Sequence, residues 1–214
     1  MKRKFPDTDI YGILDHGLSR GRGNVAVARQ MLEAGIQVIQ YREKERKMGV
    51  MLEECRAIRA LTRAAGAVFI VNDFVDLAIL ADADGVHVGQ EDLPVAEVRS
   101  LVGHGRIIGL STHSPEQAEA ALLCGADYIG VGPIFATQTK KDAVAPVGLD
   151  YLRYVADNIA LPFAAIGGIN TNNIGMVVGH GARCCCCVSA IVSANNIPEA
   201  VHSLRRAMVE KKSK

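Results

Sequence analysis

Short apolar segments recur along this chain at intervals of about 25 residues, and segments with helical patterns separate them. The apolar segments are rich in Val and Ile and apolar at almost every position, which is typical of parallel strands that are buried on both faces. This rhythm predicts alternating strands and helices along the whole chain. The eight predicted strands are residues 10–15, 37–41, 68–72, 85–88, 107–110, 128–131, 163–166 and 184–188.

The segments between the predicted strands carry helix signals. After the second strand, Met51, Cys55 and Ile58 are apolar at helical spacing. Ser114 followed by Pro115 is typical of a helix start, because Ser caps the first turn and Pro fits the first helical position. The predicted helices with the clearest patterns are residues 25–34, 50–65, 150–159 and 198–209, with a shorter one at 171–178.

Eight strand–helix repeats predict an α/β fold, a single (β/α)8 barrel that spans residues 1–214 as one domain. A chain of this length can bury one sizeable core. The alternative is an open doubly wound sheet. The barrel is favoured because no GxGxxG motif follows the first strand and because the repeats continue evenly to the C-terminus, with no Pro-, Gly- or Ser-rich linker.

The charge and hydropathy patterns exclude several classes of function. The chain has 24 basic and 23 acidic residues, so no basic surface predicts a nucleic-acid partner and no polybasic run predicts membrane binding. The basic ends, residues 2–4 and 211–214, are expected to be short flexible tails. No apolar run is long enough to span a bilayer, and no signal peptide is recognisable, which predicts a cytoplasmic protein.

Residues 184–187 are four consecutive cysteines. Neighbouring side chains of a strand point to opposite faces, so four in a row cannot converge on one metal ion. A cytoplasmic location argues against disulfides, and a free Cys packs as a small apolar side chain. The run therefore predicts a buried strand. Because Cys187 lies near the end of that strand, we hypothesise that its oxidation disturbs the adjacent Val188–Ser189 segment.

Charged residues follow several predicted strands, at the edge where barrel enzymes place their active sites. Arg42, Lys44 and Lys140 could bind an anion together. Asp73 and Asp92 could hold Mg²⁺, which would bridge phosphate oxygens. Either carboxylate alone could instead cap a helix or carry a surface charge. The combination favours a magnesium–diphosphate site.

A second anion site is predicted where the last two strands end. Gly167 and Gly168 follow the seventh strand and Ser189 follows the eighth, which are the loops that commonly bind phosphate in barrels. The alternative is a tight turn that needs a positive φ. Thr137 and Thr139 add hydroxyl donors. Two anion sites without a nucleophile triad indicate a transfer reaction in which diphosphate leaves.

Three further residues have open roles. His87 lies inside the fourth predicted strand, which favours a structural role over acid–base chemistry. His113, which follows the fifth strand, could be an acid or a base. Phe74, beside Asp73, could belong to the core or to a substrate wall.

Longer motifs connect these positions in one order along the chain. They are QYREK at 40–44, VND at 71–73, DGVHVGQEDLP at 84–94, GLSTHS at 109–114, GADYIGVGPIFATQTKKD at 125–142 and IGGI at 166–169. Through these motifs, nearly the whole chain resembles the thiamine-phosphate synthase (thiamine-phosphate pyrophosphorylase) family. The resemblance implies a (β/α)8 barrel transferase. Its reaction would couple 4-amino-2-methyl-5-hydroxymethylpyrimidine diphosphate to 4-methyl-5-(2-hydroxyethyl)thiazole phosphate, with Mg²⁺, by a dissociative mechanism.

The resemblance also implies roles for residues that match the motifs. Asp73 and Asp92 would hold Mg²⁺, and Arg42, Lys44, Ser111 and Lys140 would be catalytic. The pyrimidine diphosphate would be bound by Gln40, Tyr41, Arg42, Glu43, Lys44, Asn72, Ser111 and Lys140. The thiazole phosphate would be bound by Thr137, Gln138, Thr139, Gly168, Val188 and Ser189.

Two other functions are compatible with such a barrel. A thiazole tautomerase shares the fold, and His113 fits that group. A barrel without catalytic activity could bind pathway ligands and regulate. Asp73, Asp92 and Lys140 argue against both, and a requirement for Mg²⁺ would distinguish the synthase from a simple phosphate binder. Two phosphorylated small molecules are the expected partners, and the sequence does not predict an oligomeric state.

Overall fold

The computed structural model of this chain describes residues 4–137, 139 and 144–210. In this part of the chain eight strands form one sheet, and every neighbouring pair is parallel and consecutive in sequence. The strands are β1 Tyr11–Leu14, β2 Val38–Tyr41, β3 Val68–Asn72, β4 Gly85–Val88, β5 Ile107–Thr112, β6 Tyr128–Val131, β7 Phe163–Ile166 and β8 Cys184–Cys186.

The sheet closes where β8 meets the start of β1. Ile10 forms an isolated parallel bridge with Cys185, and the Cys185 N–H donates to the Asp9 carbonyl over 2.9 Å. Arg205, from the C-terminal helix, donates to Asp9 Oδ2 over 2.7 Å and to the Ala34 carbonyl over 2.6 Å. The prediction of a (β/α)8 barrel is confirmed, and the open doubly wound sheet is wrong.

Helices follow the strands and cover the outside of the barrel. Apolar residues on one face of each longer helix lie against the strands, as the helical spacing in the sequence predicts. The helices are α1 Asn24–Glu33, α2 Met48–Ala64, α3 Val75–Leu80, α4 Val95–Val102, α5 Pro115–Cys124, α6 Gly148–Asn158, α7 Ile174–Gly179, α8 Val188–Val192 and α9 Ile197–Glu210. The Ser114 hydroxyl accepts the Gln117 N–H, as the predicted cap requires.

Two boundaries differ from the prediction in ways that affect the site. Strand β5 continues to Thr112, so Ser111 lies in the strand rather than after it. Strand β8 ends at Cys186, and Val188 begins the short helix α8 instead of ending the strand. Val188–Val192 is rich in β-branched residues and only five residues long, so its sequence gives no helical period.

The four cysteines are buried and free, as predicted. Cys184 and Cys186 belong to the cluster inside the barrel, whereas Cys185 and Cys187 belong to the cluster between strands and helices. Burial raises the pKa of each thiol, that of Cys185 to about 12. These thiols therefore pack as apolar side chains and are poor nucleophiles.

A thiol reagent should modify one thiol rapidly in the folded protein and six in denaturant. Cys124 is exposed, whereas the other cysteines are buried. Counting the groups released from an aromatic disulfide reagent checks this, and Cys124→Ser should abolish the rapid phase. Rapid reaction of any thiol in that variant would contradict the burial of Cys55 or of the cysteine run. Modification mapped to Cys187 would support the hypothesis that oxidation reaches this residue.

A buried ion pair joins Asp84, the residue before β4, to Arg59 of α2. The Asp84 side chain accepts the Arg59 guanidinium over 2.8 Å and the Phe69 N–H over 2.9 Å. The Asp84 side chain is 0% exposed and the Arg59 side chain is 9% exposed. Because buried charges are tolerated only when paired and hydrogen-bonded, each partner depends on the other.

The predicted basic tails fall outside the described residues, except for the exposed Lys4. Among the described helices, none combines the length and the apolar character that a bilayer span requires. The cytoplasmic location stays a prediction.

Candidate active site

A cavity of about 190 Å³ opens at the carboxyl ends of the strands, the edge that the sequence predicted. Its walls come from strand ends and following loops all around the barrel. The predicted site residues that line it are Gln40, Arg42, Lys44, Asn72, Asp73, Asp92, Ser111, Thr137, Thr139, Gly168, Val188 and Ser189. Gln138 and Lys140 lie outside the described residues.

The structure places two predicted substrate-binding side chains elsewhere. The Tyr41 hydroxyl donates to Glu54 Oε2 over 2.8 Å on the outer side of β2. Glu43 Oε1 accepts the His16 N–H over 2.7 Å and the Asn24 side-chain amide over 3.0 Å. Neither side chain lines the cavity. Successive side chains of an extended segment point to opposite sides, so the sequence could have indicated that residues 40, 42 and 44 face the cavity and that residues 41 and 43 do not.

Asp73 and Asp92 are brought together at one side of the cavity. Asp73 has a φ of 61°, an uncommon conformation for a residue other than Gly, and its N–H donates to the His87 carbonyl over 2.8 Å. Asp92 Oδ2 accepts the Gly89 N–H over 2.7 Å. Phe74, not Asp73, is the N-cap residue of α3, so the capping role that Asp73 could have had is wrong.

The electrostatics of this pair favour a bound cation. Burial first, and then the neighbouring Asp92 carboxylate, raise the pKa of Asp73 to about 6, although Lys44 and Arg42 oppose the rise. No group of three or more His, Cys, Asp or Glu side chains suited to a metal was found among the described residues. Mg²⁺ commonly binds through one or two carboxylates, with waters and substrate phosphates as its other ligands. The pair therefore fits Mg²⁺ together with a phosphorylated substrate.

Two cationic side chains each lie beside a carboxylate that lines the cavity. Lys44 Nζ lies 3.9 Å from Asp73 Oδ2, and Arg42 Nη1 lies 3.8 Å from Asp15 Oδ2. Both cationic side chains line the cavity. An anion bound here would therefore meet positive charge from Arg42 and Lys44.

The opposite side of the cavity is built from backbone and hydroxyl groups. Gly168 has a φ of 64°, and a Cβ there would lie 2.6 Å from the Ala136 carbonyl oxygen. The loop after β6 is held against β7 by the Phe135 N–H, which donates to the Gly167 carbonyl over 3.0 Å. Thr137 lies in this loop. Only a residue without a side chain allows the two loops to approach so closely.

A hydrogen-bonded chain crosses the floor of the cavity. Gln40 Nε2 donates to the Tyr11 hydroxyl over 2.8 Å, and the hydroxyls of Tyr11 and Tyr128 are 2.9 Å apart. His87 Nδ1 lies 2.9 Å from the Tyr128 hydroxyl, and Nε2 lies 2.9 Å from Ser111 Oγ. Burial lowers the pKa of His87 to about 4.

Sequence reasoning missed Tyr11 and Tyr128. The sequence could have indicated them by position, because each is the first residue of a strand and alternate residues of a barrel strand face the interior. His87 connects them to Ser111 and also lines the cavity. Phe74 does not line this cavity and packs against the core. His113 does line it, with Nδ1 against the Gly132 carbonyl.

Comparison with known proteins identifies relatives of the whole chain. The family model described as thiamine monophosphate synthase matches residues 10–191. A thiamine-phosphate synthase from Pelotomaculum thermopropionicum is 59% identical over 206 residues, which cover 96% of this chain and 94% of that protein. One from Lawsonia intracellularis is 55% identical over 203 residues, covering 95% and 94%.

Solved structures resemble the barrel at two levels. Thiamine phosphate pyrophosphorylase from Pyrococcus furiosus is 35% identical and superposes with a TM-score of 0.86, covering 95% of this chain and 96% of the other. A 3-hexulose-6-phosphate synthase is 18% identical with a TM-score of 0.66, covering 94% and 99%. The second likeness concerns the fold alone.

Proposed function

Because this chain belongs to the thiamine monophosphate synthase family, a family of transferases, we propose that it couples 4-amino-2-methyl-5-hydroxymethylpyrimidine diphosphate to 4-methyl-5-(2-hydroxyethyl)thiazole phosphate. The products would be thiamine phosphate and diphosphate. The observation that carries this proposal is the division of one cavity into two parts. Charged groups line one side, and glycine and threonine line the other.

The charged side would bind the diphosphate of the pyrimidine substrate. Asp73 and Asp92 would hold Mg²⁺, which would neutralise charge on the diphosphate as it leaves. Arg42 and Lys44 would contact the remaining phosphate oxygens, since guanidinium and ammonium groups are strong partners for phosphate. Lys140 has the same proposed role, but it lies outside the described residues.

The floor of the cavity would hold the pyrimidine ring. Gln40, Asn72 and Ser111 line this part and offer amide and hydroxyl groups that can bond to ring nitrogens and the amino group. Gln40 is 2% exposed and Asn72 is 9% exposed, so these bonds would form away from water. Burial of the ring would orient the carbon that reacts.

The other side would bind the thiazole phosphate. Gly168 permits a close approach of backbone to ligand, and Thr137 and Thr139 add hydroxyl groups. Val188 and Ser189, at the start of α8, complete this wall. Gln138 would contribute from the segment outside the described residues. The thiazole nitrogen would then face the pyrimidine across the cavity.

A dissociative reaction suits this arrangement. Departure of diphosphate would leave a pyrimidine-methyl cation, and the thiazole nitrogen would attack it to form the new carbon–nitrogen bond. The protein's work would be to stabilise the leaving group and to position two substrates. Arg42 and Lys44 would stabilise the leaving diphosphate, and the walls of the cavity would position the two substrates. No covalent bond to the protein is required.

The test is an assay for thiamine phosphate with both purified substrates and Mg²⁺. Product should depend on each substrate and disappear when EDTA removes the metal, then return when excess Mg²⁺ is added. Product that persists in EDTA would overturn the proposed role of Mg²⁺. Absence of product with active, folded protein would overturn the proposed reaction itself.

The tautomerase alternative retains one supporting observation, which is that His113 lines the cavity. A tautomerase would convert a thiazole carboxylate phosphate to its isomer without a pyrimidine substrate or Mg²⁺. Incubation of the protein with that compound alone, followed by NMR of the ring carbons, would distinguish the two reactions. A regulatory barrel would bind ligands and convert neither.

Gly168→Ala should raise the KM for the thiazole phosphate by about tenfold or more, because the loop must shift away from the new Cβ. Gly66→Ala is a matched control. Gly66 has a φ of 66°, close to the 64° of Gly168, but a Cβ there would meet nothing within 4 Å. Both variants should lose roughly 1 kcal/mol of stability from the positive φ, and Gly168→Ala should lose more, because backbone atoms of the neighbouring loop must also move. Equal KM values in the two variants would refute the role of the close approach.

A further inference from the structure

The hydrogen-bonded chain from Gln40 to Ser111 has a direction. We propose that this direction makes His87 and Tyr128 positioning residues, which fix the Ser111 hydroxyl as a hydrogen-bond donor towards the diphosphate-bearing substrate. The inference rests on the proposed function for the identity of that substrate. The direction itself follows from the geometry of the protein alone.

The direction is set at the Gln40 end. Gln40 Nε2 can only donate a hydrogen bond, so the Tyr11 oxygen must be the acceptor of the 2.8 Å bond. Tyr11 then has one hydrogen of its own, and the Tyr128 hydroxyl lies 2.9 Å away. Tyr11 therefore donates to Tyr128. Both rings are buried, 2% and 0% exposed respectively, so water does not offer these hydroxyls an alternative.

The same reasoning fixes the tautomer of His87. The Tyr128 oxygen accepts from Tyr11, so its single hydrogen goes to His87 Nδ1 over 2.9 Å. Nδ1 must therefore be unprotonated, and the neutral ring carries its proton on Nε2. A doubly protonated ring would place two donors against each other along this chain. The 9% exposure of His87 also favours the neutral form.

The last bond orients Ser111. Nε2–H of His87 donates to Ser111 Oγ over 2.9 Å, so the serine hydrogen has to point elsewhere. Ser111 is partly exposed and lines the cavity, which is the direction left to its hydroxyl. The strand on which it sits is itself held by Gln90, whose side-chain amide donates to the Ser111 carbonyl over 2.6 Å. A bound substrate would therefore meet a donor there.

Packing holds the two rings in place independently of the hydrogen bonds. Position 109 on β5 is Gly, and a Cβ there would lie 2.4 Å from His87 Nδ1 and 2.2 Å from Tyr128 Cζ. The rings fill the space that a side chain would occupy. From below, the Phe5 ring stacks on Tyr128 with centroids 4.2 Å apart. The rings therefore have little freedom to break the chain by rotating.

The tautomer is measured directly by ¹⁵N NMR of the histidine rings in the labelled, substrate-free full chain. We expect His87 Nδ1 to show the shift of an unprotonated ring nitrogen and Nε2 that of a protonated one. The His87 signals are those lost in His87→Gln. A proton on Nδ1 would overturn the proposed direction, whether or not the protein is active.

A double-mutant cycle tests whether the hydrogen bonds from Gln40 to His87 affect catalysis through Ser111. Tyr128→Phe removes the donor to Nδ1 and should lower kcat about 10- to 100-fold with a smaller change in KM. In a Ser111→Ala background the same substitution should change kcat less than about twofold, because the group being oriented is already absent. An equal loss in both backgrounds would overturn the positioning role and indicate a merely structural one.

Tyr151→Phe is the matched control. Its hydroxyl is also buried and donates to Thr112 Oγ1 over 2.7 Å, but Tyr151 does not line the cavity. We expect less than about a twofold change in kcat, because this substitution removes a buried hydroxyl but none of the hydrogen bonds between Gln40 and Ser111. Wild-type protein that makes no thiamine phosphate would refute the proposed function instead, and the ring ¹⁵N shifts would still decide the direction.

Discussion

Asp92→Asn should lower kcat/KM for thiamine phosphate synthesis by at least about 100-fold, because it removes one of two charges that would hold the metal against a departing diphosphate. Asn keeps an oxygen that can accept the Gly89 N–H, so the loop hydrogen bond is preserved. The loss should therefore reflect charge rather than misfolding. Steady-state kinetics over a range of Mg²⁺ concentrations would show a higher Mg²⁺ requirement.

The same substitution should leave the melting temperature of the metal-free protein unchanged or slightly raised. Asp92 repels Asp73 and contributes to its raised pKa, and removal of one like charge relieves this repulsion. Asp76→Asn is the matched control, since Asp76 is exposed, lies three residues after Asp73 and does not line the main cavity. If both variants kept wild-type activity, Asp92 would have no part in metal binding.

Asp84→Ala should reduce the free energy of unfolding by about 3–5 kcal/mol, because it leaves the buried Arg59 guanidinium with only the exposed Asp82 carboxylate, 4.0 Å away. It also removes the acceptor of the Phe69 N–H at the start of β3. Urea denaturation followed by circular dichroism would measure the loss. Activity of the fraction that remains folded should change little, because neither residue lines the cavity.

An exposed ion pair provides the comparison for Asp84. Asp157 lies 3.9 Å from Arg153 one turn earlier on α6, and the side chains are 58% and 49% exposed, respectively. Asp157→Ala should cost less than about 0.5 kcal/mol, because water screens such pairs. Similar losses in the two variants would mean that the Asp84–Arg59 pair contributes no more than a surface contact.

Much of the fold could be predicted because the barrel repeats one simple pattern. Apolar segments such as Val68–Asn72 are buried on both faces, so their composition alone indicates a parallel strand. Helix α8 could not be predicted in this way. Five residues span little more than one helical turn, and Val188–Val192 has the composition of a strand. Its conformation depends on contacts with the rest of the barrel.

The charged part of the site was more predictable than its floor. Arg42, Lys44, Asp73 and Asp92 follow strands in a barrel, and strand ends meet at one edge whatever the loops do. The link from Tyr11 to Ser111 depends instead on ring orientations and on distances between residues about a hundred positions apart. No local pattern encodes such contacts, and only the three-dimensional packing reveals them.

The seam between β1 and β8 places a condition on the order in which this protein can be made. Ile10 and Cys185 close the ring of strands, and Arg205 fastens the beginning of β1 from the last helix. A nascent chain that lacks α9 already contains all eight strands, but it lacks the Arg205 hydrogen bonds that fasten the seam. During translation, the seam can therefore be fastened only once α9 has left the ribosome.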